Sequence, residues 1–561
     1  MLNFKTPNIA RYLLLIFSYL WINQLNYSSK VNAVPFNQSN QDLHLKIVVN
    51  SNEDIAIQPD AVLTLREAIA LANGTLSLSN LSQPEKAQIE QLNSNLPSRI
   101  EFNLPKTNTI IRLNEELPHI HSPGLIIDGT TQPGYDANHF ANPEINIPTP
   151  LVEITPADQV EIFRGLTIIA DGVVIRGLSL HGFTAKHRHT VFTPAADIFI
   201  AYSLPETQKK LNSNQNIFPF DNTKDAPKNV SIENNWLGVQ SNGNIPSKTS
   251  AFGVSVFNSL GTSIRKNLIA KHDGSGIITS VKAENLQVSE NVIIDNGLAG
   301  MPDAIRLEGK INNSQITSNL ICGNDGSAIF LFKPDGHVKI SNNQIKFNGR
   351  RLSRAAIYLM GNNHQVINNQ ISNQTGAGVV VAAYNQSDRN IIQNNRFAAI
   401  TGLSIDLNTQ QDLGVEQFQR GDGINPRRNS PNRRLDTANA AINAPEFMAK
   451  EFFVIDGKVN IDGIADPGSQ IEIYKVSENT SNYGTLSEPI AMVNTDSKGK
   501  FSLSLSNLQP GEKISAIATD PKYGTSEPAL NAVVNSIDGT VAPVNQSVPQ
   551  TSGCTTTAYQ N

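Results

Sequence analysis

Seven short segments of this chain repeat one pattern: alternating apolar and polar residues, a polar pair ending in Asn, then a second apolar pair. They are VSIENNWLGV (230–239), TSIRKNLIAK (262–271), LQVSENVIID (286–295), SQITSNLICG (314–323), VKISNNQIKF (338–347), HQVINNQISN (364–373) and NIIQNNRFAA (390–399). Aligned on Asn235, Asn267, Asn291, Asn319, Asn343, Asn369 and Asn395, they step by 32, 24, 28, 24, 26 and 26 residues. One such unit cannot bury its apolar side alone, but stacked copies repeating every 20–30 residues or roughly so can. The repeat therefore predicts an all-β chain built on a parallel β solenoid.

After each turn an apolar residue returns, at Ile277, Ile305, Ile329, Ile357, Val379 and Ile405. These lie 10, 14, 10, 14, 10 and 10 residues beyond their Asn, so two coils carry four extra residues, around 297–302 and 349–354. The Asn column reads as scaffold: stacked amides hydrogen-bond along it, and Asn tolerates the left-handed backbone of a sharp corner. If the returning residues face inward, their alternates face out. One outward row is then Ile278, Arg306, Phe330, Tyr358, Val380 and Asp406; the next is Ser280, Glu308, Phe332, Met360, Ala382 and Asn408. The patch of Phe330, Phe332, Tyr358 and Met360 has two readings. Either the chain's own segment 409–447 or its C-terminal part covers it, or the rings stack on sugars while Arg306, Arg350, Arg351 and Arg354 contact acidic groups.

Outside the repeat, Lys5 and Arg11 precede the apolar run YLLLIFSYLW (12–21), and VNA (31–33) offers a small-residue cleavage site. This reads as an export leader over 1–33. The run is short for a membrane span, so a secreted or cell-surface protein with no stable span is expected. LTLREAIALANGT (63–75) sets Leu65, Ala68, Ile69 and Ala72 at helical spacing, with Thr64 and Glu67 as a capping box and Asn73-Gly74 as the stop. A helix over 64–73, capping the open end of the solenoid, is predicted.

LTLREAIALAN resembles the N-terminal box of the secreted bacterial CSLREA group, with Leu63 and Thr64 where Cys-Ser is usual. LIIDGTTQPGY (125–135) and GVVIRGLSLHGF (172–183) are similar to early coils in that group, and 405–447 resembles its closing loop, usually richer in Asp. The resemblance implies a right-handed parallel β-helix of the pectate-lyase-like kind and leaves activity open. From 452, alternating runs between DG, DPG, SKG and PG turns predict a β-sandwich of about seven strands. This part resembles bacterial Ig-like modules. The expected order is a leader (1–33), an N-terminal segment with the helix (34–98), the β-helix (99–410), a closing loop (411–447), the Ig-like module (448–535) and a disordered tail (536–561).

With 39% hydrophobic residues the chain can bury a large core, and a net charge of −5 gives no basis for binding nucleic acid or a membrane surface. Two cysteines, Cys322 and Cys554, make neither a disulfide scaffold nor a Cys metal site, and their separation argues against a bridge. Glycoside hydrolysis needs two carboxylates about 5–10 Å apart. Asp273, Asp303 and Asp325 sit near matching turns of three consecutive coils, about 4.8 Å apart per coil, and form the candidate catalytic set. The Gly-Ser after Asp273 and Asp325 equally suits a plain turn. His119, His121 and HRH (187–189) show no metal-ligand spacing. Asp406, Asp412, Asp422 and Asp436 offer oxygens that suit calcium, although Arg427 and Arg428 stand where related loops are acidic. Binding of polysaccharide or cell-surface glycan, with adhesion, is the leading expectation. A lyase or hydrolase of acidic polysaccharide, and a surface or matrix component without a ligand site, are the alternatives.

Overall fold

A computed structural model of the 561-residue chain describes residues 43–140, 147–185, 193–202, 226–384, 387–409, 419–427, 430–434, 436–477, 482–537 and 553–554. The leader over 1–33, the HRH motif and Asp412 lie outside the described residues. Between Leu45 and Leu407 the chain winds through three long sheets of twelve, ten and nine strands. Each coil gives one short strand to each sheet: Ser263–Arg265, Leu268–Ala270 and Ile277–Glu284 make one coil, and Gln287–Ser289, Val292–Ile294 and Ile305–Lys310 the next. Neighbouring coils pair in parallel and in register, as in Ile264↔Val288 and Ile277↔Ile305.

The alternation of the sequence becomes the wall of the coil. Ile277, Ile305, Ile329, Ile357, Val379 and Ile405 stack as successive partners of the third sheet, all fully buried. Each such side chain contributes about 1.5–3 kcal/mol on burial. At the corner between first and second sheets, the N–H and the Nδ2 of each column Asn donate to Oδ1 of the next, from Asn235 to Asn395. The N–H bonds measure 2.9–3.0 Å and the Nδ2 bonds 2.9–3.1 Å. The left-handed residue of the corner is not the column Asn but the one before it, Asn234, Lys266, Glu290, Ser318, Asn342, Asn368 and Asn394. A second ladder, Asn296 to Asn324 to Asn348, holds the corner between second and third sheets, and His272 and Asp197 continue it on the N-terminal side.

Both ends of the stack are covered. The helix Leu65–Ala72, with the Thr64/Glu67 capping box in place, buries Leu65, Ala68, Ile69 and Leu71 against the strands Leu45–Val49 and Arg99–Phe102. At the other end, nine strands between Glu446 and Ser536 form one hydrogen-bonded sheet, where about seven strands were expected. This unit seals the last coils: Asn394 N–H donates to Glu472, Leu407 N–H to Glu527, Leu486 N–H to Ser404 Oγ, and Thr525 N–H to the Asn390 carbonyl. Asn439 stacks beyond Asn390 as a further rung, and a Cβ at Gly524 would come within 2.5 Å of its side chain. Residue 524 therefore has to be glycine.

The expectation of separate cysteines is corrected. Cys322 and Cys554 form a disulfide with a Cα–Cα distance of 5.5 Å across 232 residues of sequence. Cys322 faces out of the second sheet in one apolar cluster with Trp236, Leu268, Val292 and Ile294, and Cys554 packs against that cluster. Separation along the chain was no barrier, because the C-terminal end returns to the solenoid wall.

Candidate functional site

The carboxylates predicted for catalysis are each engaged within the fold. Asp303 is fully buried and ion-paired to Arg354 at 3.1 Å and Arg306 at 3.5 Å, and it accepts the Ser327 N–H at 2.9 Å. Burial raises its pKa against the pull of the two arginines. Asp325 pairs with Arg350 at 3.1 Å and Arg351 at 3.2 Å. Arg350 also reaches Asp295 at 2.8 Å. Asp273 accepts from Thr249 Oγ1 at 2.7 Å, while its carbonyl receives the N–H groups of Ala299 and Gly300, which is turn geometry. The four-residue insertion at 349–354 thus folds back over the previous turns, and its arginines serve as counter-ions to Asp295, Asp303 and Asp325.

The expected exposed aromatic row is buried. Phe330 and Tyr358 stack at 5.0 Å with 2% and 0% exposure, in one apolar cluster with Met360, Val380 and Ala382. Phe332 stays half-buried and shares the Arg306 guanidinium with Phe330, at 4.8 and 4.7 Å from the ring centroids. The closing segment returns at Gln419, whose carbonyl accepts the Ala355 N–H at 2.8 Å. Faces of Phe330 and Tyr358 that no solvent reaches cannot stack on a sugar.

Asp406 and Asp422 do come together, as the calcium reading required, with both Asp406 oxygens and Asp422 Oδ2 accepting protein hydrogen bonds. Asp406 accepts the N–H groups of Asp422 and Gly423, both at 3.1 Å, and Asp422 accepts the N–H and hydroxyl of Thr409. Glu527, beside them, accepts from Leu407 and Asn425. Burial and the charges of Glu527 and Asp422 raise the pKa of Asp406 well above the carboxylate range, and burial pushes Glu527 up to about 7. Asp436 pairs with Arg434. Among the described residues no group of three or more His, Cys, Asp or Glu side chains is arranged to hold a metal ion.

The open concavity lies elsewhere, on the rim between the third and first sheets. There the strand Ile329–Asp335 overruns the following strand Ile357–Leu359 and turns through left-handed Lys333 (φ 48°) and Gly336 (φ 105°). A Cβ at Gly336 would stand 2.6 Å from the Asn312 backbone, so glycine lets the two turns close together. With the following turn they enclose a recess of about 370 Å³, lined among others by Asn312, Lys333, Asp335, Asn362, Asn363 and Tyr384. Three amides are pinned through their oxygens. Asn312 Oδ1 accepts the His337 N–H at 3.4 Å, Asn362 Oδ1 the Asp388 N–H at 2.6 Å, and Asn363 Oδ1 the Arg389 Nε–H at 2.8 Å. Their NH₂ groups remain as donors. The Lys333 ammonium lies 4.9 Å from the Tyr384 ring centroid and 5.4 Å from that of Phe332, a cation–π arrangement. The sequence reading missed this set; its signals were the KPDGH turn (333–337) and the Asn pair at 362–363, both off the aligned Asn column.

Residues 222–345 match the family described as "Right handed beta helix region". The fold is a right-handed parallel β-helix. No curated protein sequence matches the chain. Solved structures similar to it include ORF18 of Geobacillus virus E2, at 9% identity and a TM-score of 0.37, covering 81% of this chain and 72% of that one. PfbA, a surface adhesin of Streptococcus pneumoniae, aligns at 15% identity and a TM-score of 0.33, covering 56% and 81% respectively. The A-module of the Azotobacter vinelandii mannuronan C-5 epimerase AlgE6 aligns at 12% identity and a TM-score of 0.29, covering 54% and 86%. No described helix is long and apolar enough to cross a membrane.

Proposed function

We propose that this chain is an exported β-helical protein that binds polysaccharide outside the cell or at its surface, in an adhesive role. The observation that carries the reading is the rim recess. Pinned amides, a carboxylate and a tyrosine ring around about 370 Å³ supply hydrogen-bond partners for hydroxyls and an apolar face for a sugar ring. The lyase or hydrolase reading draws no such support, because Asp303 and Asp325 are committed to arginines and Asp303 has no solvent exposure. A purely structural role through self-association at the solenoid ends is disfavoured by ends that already carry a helix and a nine-stranded cap. Export rests on the leader pattern at 1–33.

The test is a glycan array probed with the full chain, beside Tyr384→Ala. The reading expects selective retention on a subset of polysaccharides, lost in the variant, with no release of reducing or unsaturated products. Retention on none, or retention indifferent to Tyr384, sinks it.

A further inference from the structure

The recess is unequal in its hydrogen-bonding inventory, and that inequality specifies a ligand. Each of its three pinned amides already accepts a protein N–H at its oxygen and still offers the donors of its NH₂ group. Lys333 adds three N–H donors and a positive charge. Among the described residues no carboxylate pairs with it, and its ammonium lies over the rings of Tyr384 and Phe332. Each arginine of the 349–354 insertion has a carboxylate or carbonyl partner, whereas Lys333 lines the recess with no carboxylate partner among the described residues. Against these donors the recess sets one acceptor-only side chain, Asp335, which has no ion pair among the described residues.

Resting on the glycan-binding reading above, we propose that the rim recess is specific for a sugar residue that carries a carboxylate. Lys333 and the amide NH₂ groups meet the carboxylate oxygens, as charge-assisted bonds of the stronger kind. The Tyr384 ring takes the apolar face of the sugar, and Asp335, which makes no ion pair with Lys333, accepts from a hydroxyl on the opposite edge. A neutral sugar fills the same space and leaves the ammonium without a partner. Discrimination between the two therefore rests on one charge held in place by two rings. The left-handed turn at Lys333 and the glycine at 336 keep that charge at the mouth of the recess and off the buried face of the third sheet.

The experiment is titration calorimetry of the full chain with oligogalacturonate, oligomannuronate and oligoglucuronate, each beside its carboxyl-reduced counterpart, which is identical except for CH₂OH in place of the carboxylate. Dextran sulfate is the control for indiscriminate attraction to polyanions. At least one uronate is expected to bind about tenfold more tightly than its reduced partner. Lys333→Gln should erase that ratio by weakening the acidic form more than the reduced one, and Lys333→Arg should restore most of it. Circular dichroism checks that the variants keep the fold. Equal binding of the acidic and reduced forms, with Tyr384→Ala still abolishing both, overturns the carboxylate proposal and leaves glycan binding standing. No binding of any oligosaccharide overturns both. Binding of dextran sulfate as tight as that of the uronates, insensitive to Tyr384→Ala, reduces the recess to a general anion surface and also overturns the proposal.

Discussion

The corner that carries Asn291 and the rim that carries Asn362 use the same side chain to opposite ends. At the corner, Asn291 Oδ1 accepts two bonds from Asn267, and its Nδ2 donates to the Ile264 carbonyl and to Asn319. Nothing is left over, and the residue has 1% exposure. At the rim, Asn362 spends its oxygen on Asp388 and keeps its NH₂ for what enters the recess. A saturated amide holds coils in register; an amide pinned by one atom and free at the other can recognise something. Residue type does not separate scaffold from site here, but the completeness of its hydrogen bonding does.

The comparison breaks most visibly if the corner is emptied. Asn291→Ala leaves the Asn267 N–H and the Ile264 carbonyl buried without these partners, at a cost of about 5 kcal/mol in total. The loss is to be read as a lowered denaturation midpoint with intrinsic fluorescence as the probe. Phe330→Ala tests whether the aromatic row belongs with the corner rather than with the rim, and about 4 kcal/mol is expected from the cavity it opens beside Tyr358. Loss of glycan binding with unchanged stability would return that row to the recognition side.

Amides do not titrate, so pH separates the ladders from the capped end. Glu527 has its folded pKa raised from 4.5 to about 7 by burial, and Asp406 beside it is raised too. Between those pH values the folded state holds a proton that the unfolded state has released, so stability falls as pH rises through the window. The fall attributable to Glu527 is about 3 kcal/mol. Thermal midpoints between pH 4.5 and 8 should show it in the parent and a flatter profile in Glu527→Gln; equal slopes in both would remove Glu527 as the cause. Cys554→Ser frees the C-terminal end from the wall and should cost about 2 kcal/mol. Thiol titration of the native parent chain, expected to find none until it is reduced, checks the bridge itself. The smallest effect is at the rim: Asn363→Ala should change stability by about 0.5 kcal/mol or less while weakening retention of the bound glycan.

Much of the solenoid was legible because it is periodic. The Asn column, the inward Ile and Val stack and the capping box of Thr64 with Glu67 all follow from spacings of a few residues, and each stands where the pattern puts it. The candidate site was far less legible. Asp303 and the arginines at 350, 351 and 354 looked like reactive groups on an outer face, yet the insertion that carries those arginines folds back and neutralises the carboxylates. Lys333 drew no notice because its neighbours in sequence are ordinary turn residues.

By itself, then, the sequence determined which faces of each coil turn inward, since alternation along a strand leaves an apolar side only one place to go. What lies over the outward faces was decided by tertiary structure alone. The burial of Phe330 and Tyr358, the pairing of Cys322 with Cys554 and the placing of Lys333 over the Tyr384 ring depend on where distant segments return to the wall. Such returns are set by packing between residues far apart in the chain, and that leaves no period to read.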